Sequence, residues 1–589
     1  MKKGLLLLLL IVLYGIANAQ QNTVTGTVTS ADDGSTLPGV SVAIKGTTKG
    51  TITDIDGKYS LVVDDADATL LFAYVGMRNQ EIALNGRQVI DIALETDMMG
   101  VDEVVVVGYG VTKKSLVTGA IAKMGSEDIE KTRSTRIENA LQGKTAGVLV
   151  QQSSGAPGAE QNIIIRGVGS DNSVRPIYVI DGMRTDGIDW LDPQDIESVE
   201  ILKDAASAAI YGTEGGNGVV LITTKMGRGG KTNLSYDASY GIQSVASNFK
   251  TLDTEGYLNY YRTALINDDL SGKTTWEKAM EVYPDSEVNT NWLDEIFNPA
   301  PVQKHKIGVD GGTDKSKYYF SLSYTNQDGI IGGGQSNFTR YATKFNLDSK
   351  ATDWLTLGAR VSYTHSRKKG IHQNDVFGSV TNNAVVLDPT TPVYYNDISE
   401  FSDRDRNNME KAWGPEWYLN PTLFDENGYF GISQNVLNEI QNPIRQLYND
   451  RDQDIINKLF GGVYAEIDFF EGLKFRTNFD IDMSHNYNRG WSGRGYTNSM
   501  NAPGVRSTAT QQINMYFTWQ WEGYFTYNKQ IGDHNVGAVL GTSAREYTHE
   551  YLGGRGADLK KETDNYAWID YGLYIDTLNN TAWGGLGGW

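Results

Sequence analysis

Hydrophobic and polar residues alternate over long segments from about Lys231 onward. This period of two is typical of β-strands, as in KYYFSLSYTNQDG (317–329) and LTLGARVSYTHS (355–366). The turn Glu471-Gly472 joins two such segments closely, whereas a long polar loop at about 370–455 joins two others. Short turns at one end and long loops at the other are typical of an antiparallel transmembrane β-barrel. A soluble β-solenoid or sandwich has the same alternation and is the alternative.

Shorter strand-like runs occupy residues 22–95. Among them are TVTGTVTS, GVSVAIKGT and KYSLVVDD, which are separated by turn dipeptides such as Pro38-Gly39 and Asp56-Gly57. Several short strands with regular turn signals predict a β-sandwich, here of about seven strands.

Residues 111–228 have a mixed α/β pattern. Arg136–Gln142 has apolar residues at helical spacing, and Pro176–Ile180 and Gly218–Thr224 are short apolar strands. Asp192 precedes Pro193, which predicts a helix that begins at this point with the aspartate as its N-cap. Many glycines in the connections indicate tightly packed loops.

The decapeptide VDEVVVVGYG, residues 101–110, lies between these two segments. Its four valines, Val104, Val105, Val106 and Val107, follow Asp102 and Glu103 and form a strand with no polar face. Such a strand is either an ordinary buried strand or a free strand whose N–H and C=O groups a partner protein captures by β-augmentation. Its position, where a linker is expected, favours the second interpretation.

The N-terminus predicts export. Lys2 and Lys3 precede an apolar run, and Ala17-Asn18-Ala19 is a small-x-small cleavage pattern, so residues 1–19 are predicted to be a signal peptide. The chain has no cysteine, which excludes disulfides and thiol-ligated metals. Its formal net charge of −20 argues against a nucleic-acid-binding surface.

No pattern of catalytic residues is present in the sequence. The 6 histidines are scattered without an HExxH motif, and no GxSxG elbow occurs. The glycine-rich segment Gly212–Gly218 lacks the Lys-Ser/Thr ending of a phosphate-binding loop. We therefore predict no catalytic residue, no metal site, no cofactor and no enzymatic activity.

Several long motifs occur in a specific order. They are VDEVVVVGYG, then RIENALQGKTAGVLV (136–150), PIYVIDGMR (176–184) and DIESVEILKDAASAAIYGTEGGNGVVLITTKMG (195–227). The series resembles the SusC/RagA family of TonB-dependent outer-membrane transporters. The resemblance implies a carboxypeptidase-regulatory-like, transthyretin-like sandwich at 22–95, a TonB box at 101–110, a plug at 111–228 and a transmembrane barrel over 229–589.

The same resemblance implies partners and a location. TonB would pair in the periplasm with the strand Val104–Val107, next to Asp102 and Glu103. Import across the outer membrane would proceed beneath a SusD-like surface lipoprotein, with an oligosaccharide as the expected substrate. A peptide importer of the RagA type and a non-transporting surface binding or adhesion protein are the alternatives.

The barrel segment is shorter than the family pattern. Roughly nine to eleven strands are expected in 229–589, whereas transporters of this kind have about 22. An open barrel edge would leave backbone groups unpaired in lipid. We therefore expect an N-terminal portion of a longer transporter, from a truncated gene, a frameshifted copy or an incomplete record.

Aromatic residues in the loop around 390–440 are the candidate substrate contacts. Five of them are Tyr394, Tyr395, Trp413, Trp417 and Tyr418, and they lie among many acidic residues. Aromatic faces stack on sugar rings, and carboxylates bond sugar hydroxyls. Two alternatives remain: the aromatics pack the loop itself or contact a lid protein, and the acids attract basic peptides.

Overall fold

A computed structural model describes residues 22–31, 34–47, 49–65, 67–74, 77, 79–95, 104–107, 110–113, 121–152, 154–168, 175–246, 249–372, 378–435, 440–495, 506–531, 534–559 and 581–588. The predicted signal peptide at 1–19 lies outside these residues. The chain divides into two compact units, Met1–Thr118 and Gly119–Trp589.

The first unit contains the β-sandwich. Its seven strands are β1 (Asn22–Ser30), β2 (Ser41–Ile44), β3 (Gly50–Ile52), β4 (Lys58–Val63), β5 (Thr69–Ala73), β6 (Gln80–Ala83) and β7 (Ile92–Leu94). One sheet has the order β4-β1-β7 and the other β3-β2-β5-β6. In β4, buried Tyr59, Leu61 and Val63 alternate with exposed residues, so one face enters the core. The predicted sandwich is confirmed.

A two-stranded hairpin follows the sandwich in the chain. It consists of β8 (Val104–Val107) and β9 (Gly110–Lys113), which pair antiparallel from Val104 opposite Lys113 to Val107 opposite Gly110.

The plug segment begins the second unit. Its strands are β10 (Ile121–Gly125), β11 (Val148–Gln152), β12 (Gln161–Ile165), β13 (Ile177–Ile180), β14 (Met183–Thr185), β15 (Ile196–Leu202) and β16 (Val219–Thr224), and its helices are α1 (Ser126–Lys131), α2 (Ile137–Leu141) and α3 (Ala205–Ala208). Five strands form a sheet in the order β10-β15-β16-β13-β14, and β11 pairs with β12. As predicted, Asp192 is an N-cap, here of the short 3-10 helix Pro193–Asp195.

A ten-stranded antiparallel sheet makes up most of the second unit. Its strands are β17 (Gly230–Gln243), β18 (Ala300–Gly312), β19 (Ser316–Gly329), β20 (Gly333–Lys350), β21 (Leu355–Gly370), β25 (Asp450–Phe470), β26 (Leu473–Ser492), β27 (Thr508–Ile531), β28 (His534–Ala557) and β29 (Thr581–Gly588). They pair in chain order, and their number lies within the predicted range. At one end of the sheet the described strands are joined by short turns. At the other end, which we call the loop end, β19 and β20 are joined by the short turn 330–332, and the other connections are longer. The mainly β fold class is confirmed.

Two of the longer connections are folded. Between β17 and β18 lie α4 (Thr254–Asp268), α5 (Trp276–Val282) and α6 (Trp292–Ile296). Between β21 and β25, the long loop 371–449 contains α7 (Val380–Val386), β22 (Tyr394–Tyr395), α8 (Asp403–Trp413), β23 (Phe424–Asp425), β24 (Gly428–Phe430) and α9 (Pro443–Asn449). Across the part of the chain that is described, every helix is too short or too polar to span a bilayer.

Candidate functional site

The plug segment packs against one face of the large sheet, and polar side chains dominate the contact. Asp195 at the end of the capped helix accepts three bonds through Oδ1. Lys306 Nζ lies at 2.7 Å, the Tyr319 hydroxyl at 2.8 Å and the Ser321 hydroxyl at 2.7 Å. All four side chains are buried. Two adjacent strands, β18 and β19, therefore hold a single plug carboxylate.

The neighbouring Asp192 joins the plug to a third strand. Its Oδ1 accepts the Gln194 backbone N–H at 2.9 Å, and its Oδ2 lies 3.9 Å from the Arg340 guanidinium on β20. Burial alone would raise the pKa of Asp192, but the cations Lys306 and Arg340 hold it well below its usual range. Asp192 is therefore an anion in the folded protein, and we call Asp192 and Asp195 the plug anchor.

A second group of polar contacts lies further along the sheet. Thr185 in the plug donates to Asp482 on β26 at 2.8 Å, and Asp482 forms an ion pair with Lys458 on β25. Asn346 on β20 donates to the backbone oxygen of Lys225 at 2.7 Å. The plug is thus tied to strands on both sides of the long loop.

The apolar core of the plug is almost entirely its own. Its buried members come from residues 124–222, and Phe460 is the one sheet residue among the described members. Phe460 lies against Trp190, with ring centroids 4.9 Å apart. The core of the plug is therefore internal, whereas most of its contact with the sheet is polar.

The predicted TonB-binding strand belongs to the first unit. Val104–Val107 pairs on one side with Gly110–Lys113, and no other described strand pairs with its second edge. Asp102 and Glu103 fall outside the described residues. A strand with an open edge suits β-augmentation, and TonB binding by these six residues stays a prediction.

The five predicted substrate-contact aromatics lie together in the long loop. Tyr395 and Trp417 are buried in a cluster with Phe401 and Met409, and Trp413 and Tyr418 pack against it. Burial raises the pKa of Tyr395 to about 12, and its hydroxyl donates to the Ile432 oxygen at 3.0 Å.

Tyr394 lies beside this cluster. Its ring contacts Phe430 at 5.5 Å, and its hydroxyl donates to Asp425 at 2.8 Å. Packing of the loop, the stated alternative, accounts for these contacts, and sugar binding by the five residues stays a prediction.

Sequence reasoning missed a cavity of about 500 Å³ between plug and loop. Its walls are the plug loop 154–157, the β19–β20 turn and one side of α7. The lining comprises Ser154, Gly155, Ala156, Pro157, Gly329, Ile330, Ile331, Ser336, Ile371, Ser379, Thr381, Asn382 and Val385, none of which is charged. No local sequence pattern indicates this cavity, because its lining comes from separate parts of the chain.

No metal centre is found: in the described ranges, no three His, Asp or Glu side chains are grouped so as to hold an ion.

Two family models match the chain. The TonB-dependent receptor plug domain matches residues 113–219, and the CarboxypepD_reg-like domain matches residues 24–106. These matches fall on the mixed α/β segment and on the sandwich with the valine strand.

Curated relatives are similar over most of the chain. TonB-dependent receptor P3 of Formosa agariphila is 32% identical over 550 residues, which cover 93% of this chain and 50% of the relative. TonB-dependent receptor SusC of Bacteroides thetaiotaomicron is 32% identical over 494 residues, covering 80% of this chain and 46% of the relative. The chain therefore spans about half the length of the curated relatives it matches. Both relatives are receptors rather than enzymes, in agreement with the prediction.

A solved structure has the same fold. The structure of the RagAB peptide transporter aligns with a TM-score of 0.63 and 23% identity, covering 80% of this chain and 52% of that chain. The solved structure shows the shared fold. The sequence similarity over most of the chain and the two matched domains place the chain among the SusC-like TonB-dependent receptors.

Proposed function

We propose that the chain belongs to an importer of the outer membrane that is driven by TonB. The large sheet lies in the membrane as part of a β-barrel, and the plug closes its lumen. The observation that supports this most strongly is the plug anchor, in which buried Asp195 is held by Lys306, Tyr319 and Ser321. A plug with its own core and a polar contact with the barrel suits a part that must move.

TonB engages the valine strand in the periplasm. It adds a strand to the open edge of Val104–Val107, and Asp102 and Glu103 lie at the start of the paired segment. Residues 114–120 lead from the hairpin into β10 of the plug. A pull on the valine strand is therefore transmitted along the chain to the plug, where it strains the contacts of the anchor.

The substrate is an oligosaccharide. The cavity between plug and loop supports this, because its uncharged lining combines hydroxyl and amide groups with apolar side chains. Hydroxyls and amides bond sugar hydroxyls, and aliphatic side chains cover the apolar faces of sugar rings. Its volume of about 500 Å³ lies within the range of small-molecule pockets. The resemblance of the chain's motifs to the SusC/RagA family also implies this substrate class.

Peptide import is the second candidate. The likeness to the RagAB peptide transporter and the acidic residues of the long loop favour it. A surface binding or adhesion protein that does not transport is the third, but it needs neither a plug nor a strand that TonB can reach.

A SusD-like surface lipoprotein completes the proposed importer. It would cover the loop end of the sheet, where α4–α6 and the long loop 371–449 lie. Several apolar side chains of α4–α6 are exposed there, among them Tyr260, Trp276 and Val282. Exposed apolar side chains of this kind suit a protein partner.

Growth and uptake assays test the substrate assignment. A deletion strain is grown on a panel of glycans and peptides, and the wild-type gene is restored as the control. We expect a growth defect on one class of glycan, with uptake of that glycan abolished by a protonophore. A defect confined to peptides would contradict the sugar assignment, and uptake that persists without membrane energy would contradict TonB coupling.

A further inference from the structure

Basic side chains gather on the outer face of the large sheet, which is the face opposite the plug. At the loop end, Lys369 on β21 pairs in register with Gln453 on β25, which pairs with Arg489 on β26. Two residues nearer the loop end, Arg451 pairs with Trp491. Strict alternation from the outer-face residue Val361 places all of these side chains on the outer face.

These residues line a small cavity. Its lining is Gln335, Lys369, Arg451, Asp452, Gln453, Arg489 and Trp491, which include three cations and one carboxylate. Its volume of about 30 Å³ exceeds the ~10–15 Å³ that a single water needs. The chain as a whole has a formal net charge of −20, so a cavity lined mainly by cations differs from the overall charge of the protein.

One buried donor that borders the cavity, the Trp491 indole N–H, has no acceptor among the described residues. Its side chain is only 7% exposed, and the buried indole Nε1 has no hydrogen-bond partner. The Arg451 guanidinium lies over the indole ring, 5.9 Å from its centroid. A buried N–H donor without an acceptor is costly, and an oxygen of a bound anion would satisfy it.

Below this cluster, the same face becomes apolar. Toward the middle of the sheet, its exposed side chains are Leu357, Val361, Tyr363, Val463 and Phe479, each 38–57% exposed. Along β21 alone, Val361 and Tyr363 are followed by His365, Arg367 and Lys369. The order from apolar to basic matches an amphiphile whose chains lie along the sheet and whose anionic head reaches the loop end.

We propose that this cluster binds the phosphate-bearing head group of an outer-leaflet lipid. Lys369 and Arg489 pair with the phosphate oxygens, and the Trp491 indole donates to a further oxygen. Lipid chains cover the apolar side chains below. The inference rests on the proposed placement of the sheet in a membrane, but it is separate from import, because the outer face does not contact the plug.

Lipid binding by the purified protein tests the proposal. The protein, as the source cell makes it, is solubilised in a neutral detergent and titrated with phosphatidic acid, phosphatidylcholine or inorganic phosphate. Bound lipid is counted by native mass spectrometry. The variants are Lys369→Gln/Arg489→Gln and Arg367→Gln/Lys369→Gln, and the control is Lys529→Gln, which removes an exposed cation of the same face at the short-turn end.

Phosphatidic acid is expected to bind the wild type and the control about tenfold more tightly than it binds either double variant, since each loses charge-assisted bonds. Phosphatidylcholine should bind weakly throughout, and inorganic phosphate should not displace bound lipid. Equal binding of phosphatidic acid by wild type and both double variants would overturn the proposal. Displacement by phosphate alone would also overturn it, because the site would then be one for a free anion. TonB-dependent uptake, measured in parallel, reports on the import proposal independently.

Discussion

The Asp195 carboxylate of the plug lies 2.7 Å from the Lys306 ammonium nitrogen of the large sheet, and both side chains are less than a tenth exposed. An ion pair of this kind brings little net stability relative to an apolar contact, but the loss of one partner leaves a buried charge uncompensated. The pair therefore determines the position of the plug more than it contributes to the folding stability of the plug. It is also a contact that movement of the plug must break.

Replacing Asp195 with alanine is expected to weaken docking of the plug by about 3–5 kcal/mol, because Lys306 keeps its charge without a partner. The urea concentration that exposes the plug to protease should fall. Glu197→Gln is the matched control, since Glu197 is an exposed acid in the same motif. Adding Lys306→Met to Asp195→Ala should restore part of the loss, because it removes the unpaired cation but also one of the two cations beside Asp192. A double variant as weak as the single one would show that the ion pair does not hold the plug.

Docking of the plug should depend on pH through Asp192. The pKa of Asp192 is lower in the folded protein than in the unfolded chain, where it has the ordinary value of about 4. The Asp192 carboxylate therefore stabilises the folded protein fully above about pH 4, and this stabilisation is lost as the pH falls through the folded-state pKa. The wild-type urea midpoint, relative to that of Asp192→Asn, should stay constant from about pH 7 to about pH 5 and fall in stronger acid. A relative midpoint that falls between pH 7 and pH 5 would contradict the lowered pKa.

Trp417 should act as a core residue of the long loop. Trp417→Ala removes a buried ring and is expected to cost about 3–5 kcal/mol of local stability. Limited proteolysis within 371–449 should become faster. The control is Leu419→Ala, two residues away and 57% exposed. If Trp417→Ala abolished substrate binding while the protease resistance of the loop was unchanged, direct sugar contact would replace packing as its role.

Filling the cavity should block the substrate. Val385 and Val386 are neighbours on α7 with similar exposure, but only Val385 lines the cavity. Val385→Trp should lower glycan binding at least about tenfold because it occupies space that the sugar needs. Val386→Trp should bind glycan as the wild type does. Equal binding by both variants, measured by calorimetry on the purified protein, would place the substrate elsewhere.

Local patterns in the sequence predicted the elements well, and distant contacts poorly. The alternation in segments such as 355–366 predicted strands of the large sheet, since it records which face is buried. Asp192 before Pro193 predicted the cap, because capping depends on adjacent residues. The bond between Asp195 and Lys306 joins residues 111 positions apart, and no local pattern indicates such a pair.

The long loop shows a second limit of the sequence. Its aromatic residues suggested sugar stacking, yet Tyr395 and Trp417 pack against Phe401 in a core of the loop itself. Aromatic side chains serve both purposes, and a polar loop composition hides a small internal core. The cavity beside α7 was missed for a different reason: its walls come from three separate parts of the chain.

The most direct test of the central claim is uptake by a protein with Val106→Pro in the valine strand. Proline removes a backbone N–H and prevents regular strand pairing, whereas the control Val106→Thr keeps the N–H and the β-branched shape. Energy-dependent uptake of the substrate should be lost in the proline variant and kept in the threonine variant, with substrate binding at the cell surface unchanged in both. Uptake by Val106→Pro at the wild-type rate would contradict the claim that TonB drives import through this strand.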